Sequence, residues 1–438
     1  MSQSSIAETR ALLSFISGAP TAFHAVDEIE SRLQADGYLP LLEGWSEELT
    51  PGGRYYLTRN RSSIIAFRMP EEQPKGFLIS ATHTDAPTFR LKKSYESEVG
   101  GCLRLLTERY GGSIYSTWLD RPLSVAGRVV VREENRFLQR NVMLDRDLVL
   151  IPNVAIHMNR KLNDGYVYNP AVDLIPLAGA AGEKGALDRM LAESLGVDVD
   201  AIVSAELSLY DRTPGSVWGL SNEFFSCSRI DNLECTYATL LGFLSSAPAS
   251  DEIAVFSAFD SEEVGSRTKQ GADSDFLYST LLQVASVMGL SLSALLRASL
   301  FVSADNAHGR HPNHPELSDG QNAPELNRGV VIKHHASQQY TTDAVSEALF
   351  AEICTRAGVP IQHFSMRSDM PCGSTLGAIA NSHVAPLSID IGLAQLAMHS
   401  AYETAGCADL GYMIRAMRAY FSSRLIYQAD GAYALECQ

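Results

Sequence analysis

The first residues with chemical potential follow an apolar run. Residues 77–82 are predicted to form a buried strand, and His83-Thr84-Asp85 come directly after it. Open α/β sheets bind their ligands at the carboxyl ends of strands, and a metal-ligating histidine needs an acceptor that fixes its tautomer. His83 is therefore a candidate metal ligand that Asp85 would orient, although a lone His-x-Asp after a strand is more often structural.

Two adjacent glutamates follow a second apolar run. The predicted strand 252–259 leads into Asp260-Ser261-Glu262-Glu263-Val264-Gly265-Ser266, where neighbouring carboxylates repel each other unless a cation or proton lies between them. One glutamate could ligate a metal ion while the other acts as a general base on water. A solvated acidic loop is the simpler interpretation of this pair taken alone.

Three further candidates have similar settings. Asp305 follows the predicted strand 300–304, and His399 follows the predicted strand 384–392 across a short loop. Asp231 begins a predicted helix, where an aspartate ordinarily caps the helix or lies in its first turn, but its carboxylate can also bridge two cations. His399 on its own would be a hydrogen-bonded core histidine.

Taken together, these positions provide two imidazoles and three carboxylates: His83, Asp231, Glu263, Asp305 and His399. Such a donor set suits two divalent ions, with Zn²⁺ as the first expectation and Mn²⁺ or Co²⁺ as alternatives. One binuclear site explains the set better than five independent coincidences.

The elements that must position these residues alternate in type. Apolar runs rich in Ile, Val and Phe alternate with helical patterns, which is typical of an α/β sheet with parallel strands. The predicted strands cover 76–82, 252–259, 300–304, 330–333 and 384–392, and the predicted helices cover 5–16, 231–245 and 343–357.

Residues 88–226 have a different pattern, with Gly-Gly pairs that suggest hairpins at Gly100-Gly101 and Gly111-Gly112 and short strands at 128–132 and 148–151. We therefore predict a β-rich domain of residues 88–226, inserted into an α/β domain made of residues 1–87 and 227–438.

Composition excludes several classes of protein. Thirty-five basic and 51 acidic residues give 35 − 51 = −16 charges, which excludes nucleic-acid binding through bulk basicity. Seven cysteines without a Cys-x-x-Cys favour reduced thiols in the cytoplasm. We expect neither a signal peptide nor a membrane-spanning segment.

Five motifs, taken in order along nearly the whole chain, resemble the M18 metallopeptidases, the aspartyl aminopeptidase family. They are His83-Thr84-Asp85, Arg229-Ile230-Asp231-Asn232-Leu233, Asp260-Ser261-Glu262-Glu263-Val264-Gly265-Ser266, Ser303-Ala304-Asp305-Asn306-Ala307-His308 and Gln395-Leu396-Ala397-Met398-His399-Ser400. Ser261 and Asn306 stand where other members often have Asn and Met, and neither departure removes a ligand.

The resemblance implies a zinc-exopeptidase-like α/β fold, with a mostly parallel sheet flanked by helices and an inserted β-rich dimerisation domain. It also implies a binuclear-metal aminopeptidase that removes N-terminal Asp or Glu from peptides. His83 and Asp305 would hold one ion, Glu263 and His399 the other, and Asp231 would bridge them. The resemblance further implies that Glu262 is the general base and that Asp85 orients His83.

The resemblance also suggests substrate contacts for His308, Lys333 and Tyr340. An acidic side chain entering a carboxylate-rich site needs a fixed cation, and Lys333 is the natural candidate, although without the family context it would be a surface lysine at a strand end. His157, in the inserted domain, would reach a neighbouring subunit's active site, as a substrate contact in preference to a metal ligand. The implied assembly is a tetrahedral dodecamer built from dimers, which would admit peptides and exclude folded proteins.

Two alternatives stay open at this point. The same metal site would serve an aminopeptidase of broad or neutral specificity, or a related deacylase or carboxypeptidase. A second hypothesis, from a different class of function, is an assembly without catalytic activity that binds cargo. The presence of all five ligand positions and Glu262 argues against it. Cys372 is expected to be structural, because no basic motif surrounds it.

Overall fold

The computed structural model describes residues 2–46 and 48–437, so the two ends of the predicted catalytic domain, residues 1 and 438, lie outside the described residues. The helices over the described residues are α1 (Gln3–Gly18), α2 (Ala22–Ala35), α3 (Ala186–Leu195), α4 (Ile230–Ser245), α5 (Phe276–Val287), α6 (Leu292–Arg297), α7 (Ala344–Arg356), α8 (Leu376–Val384) and α9 (Cys407–Phe421).

The strands up to residue 227 are β1 (Leu39–Pro40), β2 (Arg54–Arg59), β3 (Ser63–Arg68), β4 (Gly76–His83), β5 (Thr88–Val99), β6 (Cys102–Tyr110), β7 (Leu123–Glu133), β8 (Arg136–Met143), β9 (Leu177–Ala180), β10 (Ile202–Asp211), β11 (Ser216–Trp218) and β12 (Phe224–Cys227). The later strands are β13 (Glu252–Phe259), β14 (Leu300–Ala304), β15 (Ala307–His308), β16 (Val330–His334), β17 (Ile361–Ser365), β18 (Leu387–Gly392), β19 (Ala394–Leu396), β20 (Glu403–Gly406), β21 (Ser423–Ala429) and β22 (Ala432–Cys437).

A nine-stranded sheet forms the centre of the fold. Its strand order is β1-β2-β3-β13-β4-β14-β18-β16-β17, and β13, β4, β14 and β18 are joined by parallel pairing. Its strands are buried because apolar side chains from helices cover both faces: α1, α2, α4, α7 and α9 on one side, and α5, α6 and α8 on the other. The predicted α/β fold with a mostly parallel sheet is confirmed.

The chain between residues 88 and 211 forms a separate antiparallel sheet. The order is β8-β7-β10-β5-β6-β9, and the core around Phe89, Trp118 and Val125 covers one face. Gly100 and Gly101 form the turn between β5 and β6 with φ of 60° and 79°, a left-handed conformation that glycine adopts without steric cost. A five-stranded sheet has the order β11-β12-β20-β19-β15, and its strands β15 and β19 follow β14 and β18 of the central sheet along the chain.

Three local predictions were wrong. Residue 384 ends a helix, and the strand begins at Leu387, because Ala385 takes a left-handed φ of 43° and Pro386 follows it. Gly111 and Gly112 join β6 to a 3-10 turn and not to a hairpin partner. Residues 148–151 make isolated bridges in place of a strand. Within the described ranges, no helix is both long and apolar enough to cross a lipid bilayer.

Candidate metal centre

The candidate residues meet where the parallel strands end. His83 is the last residue of β4, Glu262 and Glu263 lie in the 3-10 turn after β13, and Asp305 follows β14. Since β13 and β14 flank β4 in the sheet and run parallel to it, their carboxyl ends share one edge. The sheet topology therefore brings four of the predicted site residues together.

Asp231 lies between two imidazoles. Its Oδ1 is 3.3 Å from Nε2 of His83, and its Oδ2 is 3.5 Å from Nε2 of His399. Asp231 is the second residue of α4 and has non-helical backbone angles, and the cap residue of this helix, Arg229, has a left-handed backbone. Its own N–H donates a 3.1 Å hydrogen bond to Oε2 of Glu403. One carboxylate thus contacts both halves of the cluster.

The remaining acidic groups divide between the two imidazoles. Asp305 Oδ1 is 3.4 Å from Nε2 of His83, and Glu263 Oε2 is 3.4 Å from Nε2 of His399. Each imidazole therefore belongs to a three-residue group of donors, and Asp231 is common to both groups. Glu262 lies beside them, with a donor atom close to those of His83 and Glu263.

Asp85 connects the two loops that form the centre. Its backbone oxygen lies 3.0 Å from Nδ1 of His83, a contact in which the ring donates its proton and leaves Nε2 facing Asp231 and Asp305. Its carboxylate accepts the N–H groups of Glu262 and Glu263 at 3.1 and 3.2 Å and the hydroxyl of Tyr110 at 2.6 Å. These bonds hold both glutamates next to His83.

His399 is oriented from two sides. Its Nδ1 lies 3.1 Å from the carbonyl oxygen of Gly112, and its backbone N–H donates a 2.7 Å bond to Oε1 of Glu403. Sequence reasoning missed Tyr110, Gly112 and Glu403 as parts of this centre. Glu403 stands alone in β20 without a motif around it, and the contact from Gly112 to His399 spans 287 positions of the chain.

The electrostatics of the cluster favour added positive charge. Burial raises the pKa of Glu262 to about 8, and burial together with the nearby Asp231 raises the pKa of Glu263 well above its usual value. Burial also opposes ionisation of Asp231, yet hydrogen bonds from His399 and His83 hold its pKa below the ordinary value. For Glu262 and Glu263 the cost of burying a charge outweighs the attraction of the imidazoles, so these pKa values favour the protonated acids unless another cation lies nearby.

A divalent metal ion fits this donor set. Five carboxyl groups surround the two imidazoles (Asp85, Asp231, Glu262, Glu263 and Asp305), and Oε1 of Glu263 is buried with no hydrogen-bond partner among the described residues. Imidazole nitrogens with carboxylate oxygens are ligands that Zn²⁺, Mn²⁺ and Co²⁺ accept. A cation at the cluster would relieve the repulsion and satisfy the unpaired oxygen.

The residues predicted to contact the substrate differ in their positions relative to the candidate metal centre. Lys333 is only 2% exposed, with Nζ 3.5 Å from Oδ2 of Asp305 and 5.4 Å from the ring centroid of Tyr340. His308 is in β15, and its ring contacts that of Phe364. The structure thus brings Lys333 and Tyr340 to the edge of the metal centre.

His157 lies elsewhere in this chain. Its side chain is exposed, in the segment that connects β8 and β9, the two edge strands of the 88–211 sheet. None of the candidate metal-binding groups among the described residues includes it. The same segment exposes apolar side chains of Val154, Ile156, Met158 and Val167.

The fold and the donor set define a class of protein, an α/β protein with a candidate metal centre at the strand ends of its sheet. A family model described as "Aminopeptidase I zinc metalloprotease (M18)" matches residues 15–421. The chain therefore belongs to the M18 family of zinc metalloprotease aminopeptidases, which confirms the resemblance seen in the sequence.

Individual relatives agree with this assignment. A protein of Clostridium acetobutylicum named "Probable M18 family aminopeptidase 2" is 41% identical over 423 residues, covering 94% of this chain and 98% of that protein. The solved structure titled "Cryo-EM structure of the Ape4 and Nbr1 complex" contains a chain with a TM-score of 0.92 and 35% identity, covering 95% of this chain and 86% of that one. A structure titled "Structure of S. cerevesiae mApe1 dodecamer" matches with a TM-score of 0.83 and 25% identity, covering 94% of this chain and 95% of that one.

Proposed function

We propose that this protein is a binuclear zinc aminopeptidase that removes N-terminal aspartate or glutamate from peptides. The observation that carries the acidic specificity is the burial of Lys333, a fixed positive charge at the edge of a carboxylate-rich centre. Burying the charged form of a lysine is costly unless an anionic group pairs with it. The side-chain carboxylate of a substrate would be such a partner in addition to Asp305.

The proposed ligands follow the two donor groups. His83 and Asp305 would hold one ion, Glu263 and His399 the other, and Asp231 would contribute one oxygen to each. The position of Asp231, with its two oxygens directed to different imidazoles, supports this division. When bound, the two ions supply Lewis-acid polarisation of the scissile carbonyl and lower the pKa of water. Mn²⁺ and Co²⁺ are alternatives to Zn²⁺ for the same donors.

Glu262 is the proposed general base. It lies beside the donor groups without being needed as one of the five ligands, and its backbone is held by Asp85. In the reaction Glu262 takes a proton from the water that attacks the carbonyl carbon. It then delivers this proton to the leaving amine as the carbon–nitrogen bond breaks. Asp85 positions His83 and both glutamates throughout.

We assign substrate contacts to Lys333, Tyr340 and His308. Lys333 would pair with the acidic side chain, while Tyr340, whose ring lies beside the ammonium, would fix the direction of the lysine. His308 lies on β15, the short strand that follows Asp305 by two residues, and would border the substrate on that side.

The proposed assembly is a homo-oligomer, specifically a tetrahedral dodecamer. The relative from S. cerevisiae is named a dodecamer in its title, and the segment around His157 exposes apolar side chains, with Met158 82% and Val167 87% exposed. Exposed apolar groups clustered in one segment are typical of a protein interface.

We propose that residues 88–226 form a dimerisation domain that brings His157 to the partner's active site, and that residues 1–87 and 227–438 form the catalytic domain. The cytoplasmic location stays a prediction.

The test is hydrolysis of a panel of aminoacyl chromogenic substrates by chelator-stripped protein, with Zn²⁺, Mn²⁺ or Co²⁺ restored. Restored cleavage of Asp and Glu substrates alone would support both the metal centre and the acidic specificity. Restored cleavage of Leu and Ala substrates at equal rates would retain the aminopeptidase chemistry and contradict the specificity. Absence of cleavage with every metal would favour the assembly without catalytic activity.

A further inference from the structure

A second group of metal-ligating side chains lies away from the catalytic centre. It consists of His334 at the end of β16, His363 in β17 and Glu347 on α7. We refer to these three residues as the outer triad. Of the four candidate metal-binding groups formed by the described residues, the other three are built from the catalytic cluster. The outer triad therefore has no explanation in the proposed reaction.

The outer triad is on the opposite face of β16 from the catalytic centre. Side chains alternate between the two faces of a strand, so His334 points away from its neighbour Lys333. Ile332, on the same face as His334, belongs to the hydrophobic core cluster that also contains Phe350 and Ile353 of α7. In the register of the parallel pair, His363 is opposite Ile332, which places both histidines of the outer triad under α7 and next to Glu347.

The three donor atoms converge at distances that suit one ion. Nε2 of His334 is 3.1 Å from Nδ1 of His363, and Oε1 of Glu347 is 3.9 and 3.6 Å from these two nitrogens. Three ligands at about 2.0–2.1 Å from a tetrahedral ion are about 3.3 Å apart. Movements of a few tenths of an ångström, within the range of surface side chains, would therefore complete the geometry.

The contact between the two imidazoles limits the positive charge available to the carboxylate of Glu347. Two ring nitrogens 3.1 Å apart can share one proton, so at least one of the two rings is neutral. The ion pairs that Glu347 makes within the described part of the chain are with these two rings. A metal ion would replace the shared proton and give the carboxylate a fixed partner.

We propose that the outer triad binds one divalent transition-metal ion of the borderline class, Zn²⁺ or Ni²⁺. Two imidazoles and one carboxylate match the nitrogen-rich preference of these ions and not the oxygen ligands of Mg²⁺ or Ca²⁺. The side chains of His334, Glu347 and His363 are 30%, 34% and 42% exposed, so water can fill the fourth position. The bound ion would tie β16 and β17 to α7 directly behind Lys333.

The test compares metal content among variants of the full-length protein, equilibrated with Zn²⁺ and freed of unbound metal by gel filtration. The wild-type protein is expected to retain one more zinc per subunit than His363→Ala and Glu347→Gln. His383→Ala is the matched control, because His383 is 35% exposed and pairs with a single carboxylate, Asp273, without a second imidazole. Equal zinc content in the wild type, His363→Ala and Glu347→Gln would overturn the proposal.

A second measurement separates metal binding from a purely structural effect of the substitutions. The zinc-loaded protein is first treated with a mild chelator that empties the outer triad and leaves the catalytic zinc in place. Micromolar Ni²⁺ is then expected to raise the melting temperature of the wild-type protein and to leave that of His363→Ala unchanged. A Ni²⁺ response of equal size in His363→Ala would contradict the site. Because every variant keeps the catalytic ligands, failure of this proposal would leave the substrate assays, and thus the proposed function, unaffected.

Discussion

The hydroxyl of Tyr110 donates a 2.6 Å hydrogen bond to Oδ2 of Asp85. Tyr110 ends β6 of the 88–211 sheet, whereas Asp85 follows β4 of the central sheet. Burial disfavours the charge of Asp85, and hydrogen bonds from His83, Tyr110 and the Glu263 N–H hold its pKa below the usual value. We therefore expect Tyr110 to be a positioning residue that acts on the candidate metal centre through Asp85.

Replacement of Tyr110 by phenylalanine tests this relationship. Tyr110→Phe removes one donor from a buried carboxylate, and loss of such an outer partner lowers metal affinity or activity by about 10- to 100-fold. Zinc affinity, measured by competition with a chelator, is expected to fall together with kcat. Tyr115→Phe, at a half-buried tyrosine whose hydroxyl accepts a hydrogen bond from Arg109, is the control. Unchanged zinc affinity in Tyr110→Phe would show that Asp85 does not need this donor.

Substitutions of the two adjacent glutamates are expected to have different effects on metal binding and activity. Glu262→Gln should keep its metal ions and lose about 10²–10⁴-fold in kcat, because the proton acceptor is gone while the ligands remain. Glu263→Gln should lose metal as well as activity, since it removes a proposed ligand next to His399. Metal analysis combined with kinetics distinguishes the two variants. Near-normal turnover by Glu262→Gln would refute its role.

Lys333→Met tests the acidic specificity. Methionine is close to lysine in shape but lacks the charge, and breaking a buried charge pair costs about 3 kcal/mol, or about 10²-fold. We expect kcat/KM for Asp and Glu substrates to fall by this factor, with Leu and Ala substrates spared. Lys269→Met, at an exposed lysine, should change neither. An equal loss of kcat/KM on all substrates would show that Lys333 stabilises Asp305 and does not recognise the acidic side chain.

The raised pKa values predict how pH affects the metal-free protein. Burial raises the pKa of Glu262 from its ordinary 4.5 to about 8, so folding favours the protonated acid. Its contribution to stability is full below pH 4.5 and is lost as the pH rises through about 8. Chelator-treated protein is therefore expected to melt at a lower temperature at about pH 9 than at about pH 6, and metal ions should restore more stability at the higher pH. A metal-free melting temperature that rises over this interval would contradict the prediction.

A mixed assembly tests whether His157 acts across an interface. His157→Ala and Glu262→Gln subunits are each expected to be inactive when assembled alone. Co-expressed with different tags and purified through both, they would form sites in which an intact Glu262 meets the His157 of a neighbouring subunit. Recovery of a substantial fraction of wild-type activity is the expected result. A mixed assembly as inactive as its parents would place His157 outside the partner's site.

The strand ends could be located from sequence because each apolar run stops where a functional side chain follows, as at His83 and Asp305. The same logic failed at residue 384, where a helix and a strand are both apolar and only the backbone of Ala385 separates them. Tyr110 could not be found, because folding brings it to Asp85 from 25 positions along the chain and no local spacing records that proximity. Glu403 is only four residues after His399, but its contact is with a backbone N–H, for which no residue pattern is a signal. Sequence reasoning therefore named the proposed metal ligands and Asp85, which orients His83, and missed Tyr110, Gly112 and Glu403, which hold Asp85 and His399.

The carbonyl oxygen of Gly112 faces Nδ1 of His399, and a carbonyl oxygen is present at every residue of a protein chain. A substitution at position 112 would leave this acceptor in place, and a Cβ there would stand 3.6 Å from His399 Nδ1, an ordinary contact. The orientation of His399 is thus insensitive to point mutation at its partner. The carboxylate of Asp85, by contrast, accepts one of its three hydrogen bonds from a phenolic hydroxyl that a single nucleotide change can delete, and the other two from backbone N–H groups. The two halves of the centre therefore differ in mutational robustness.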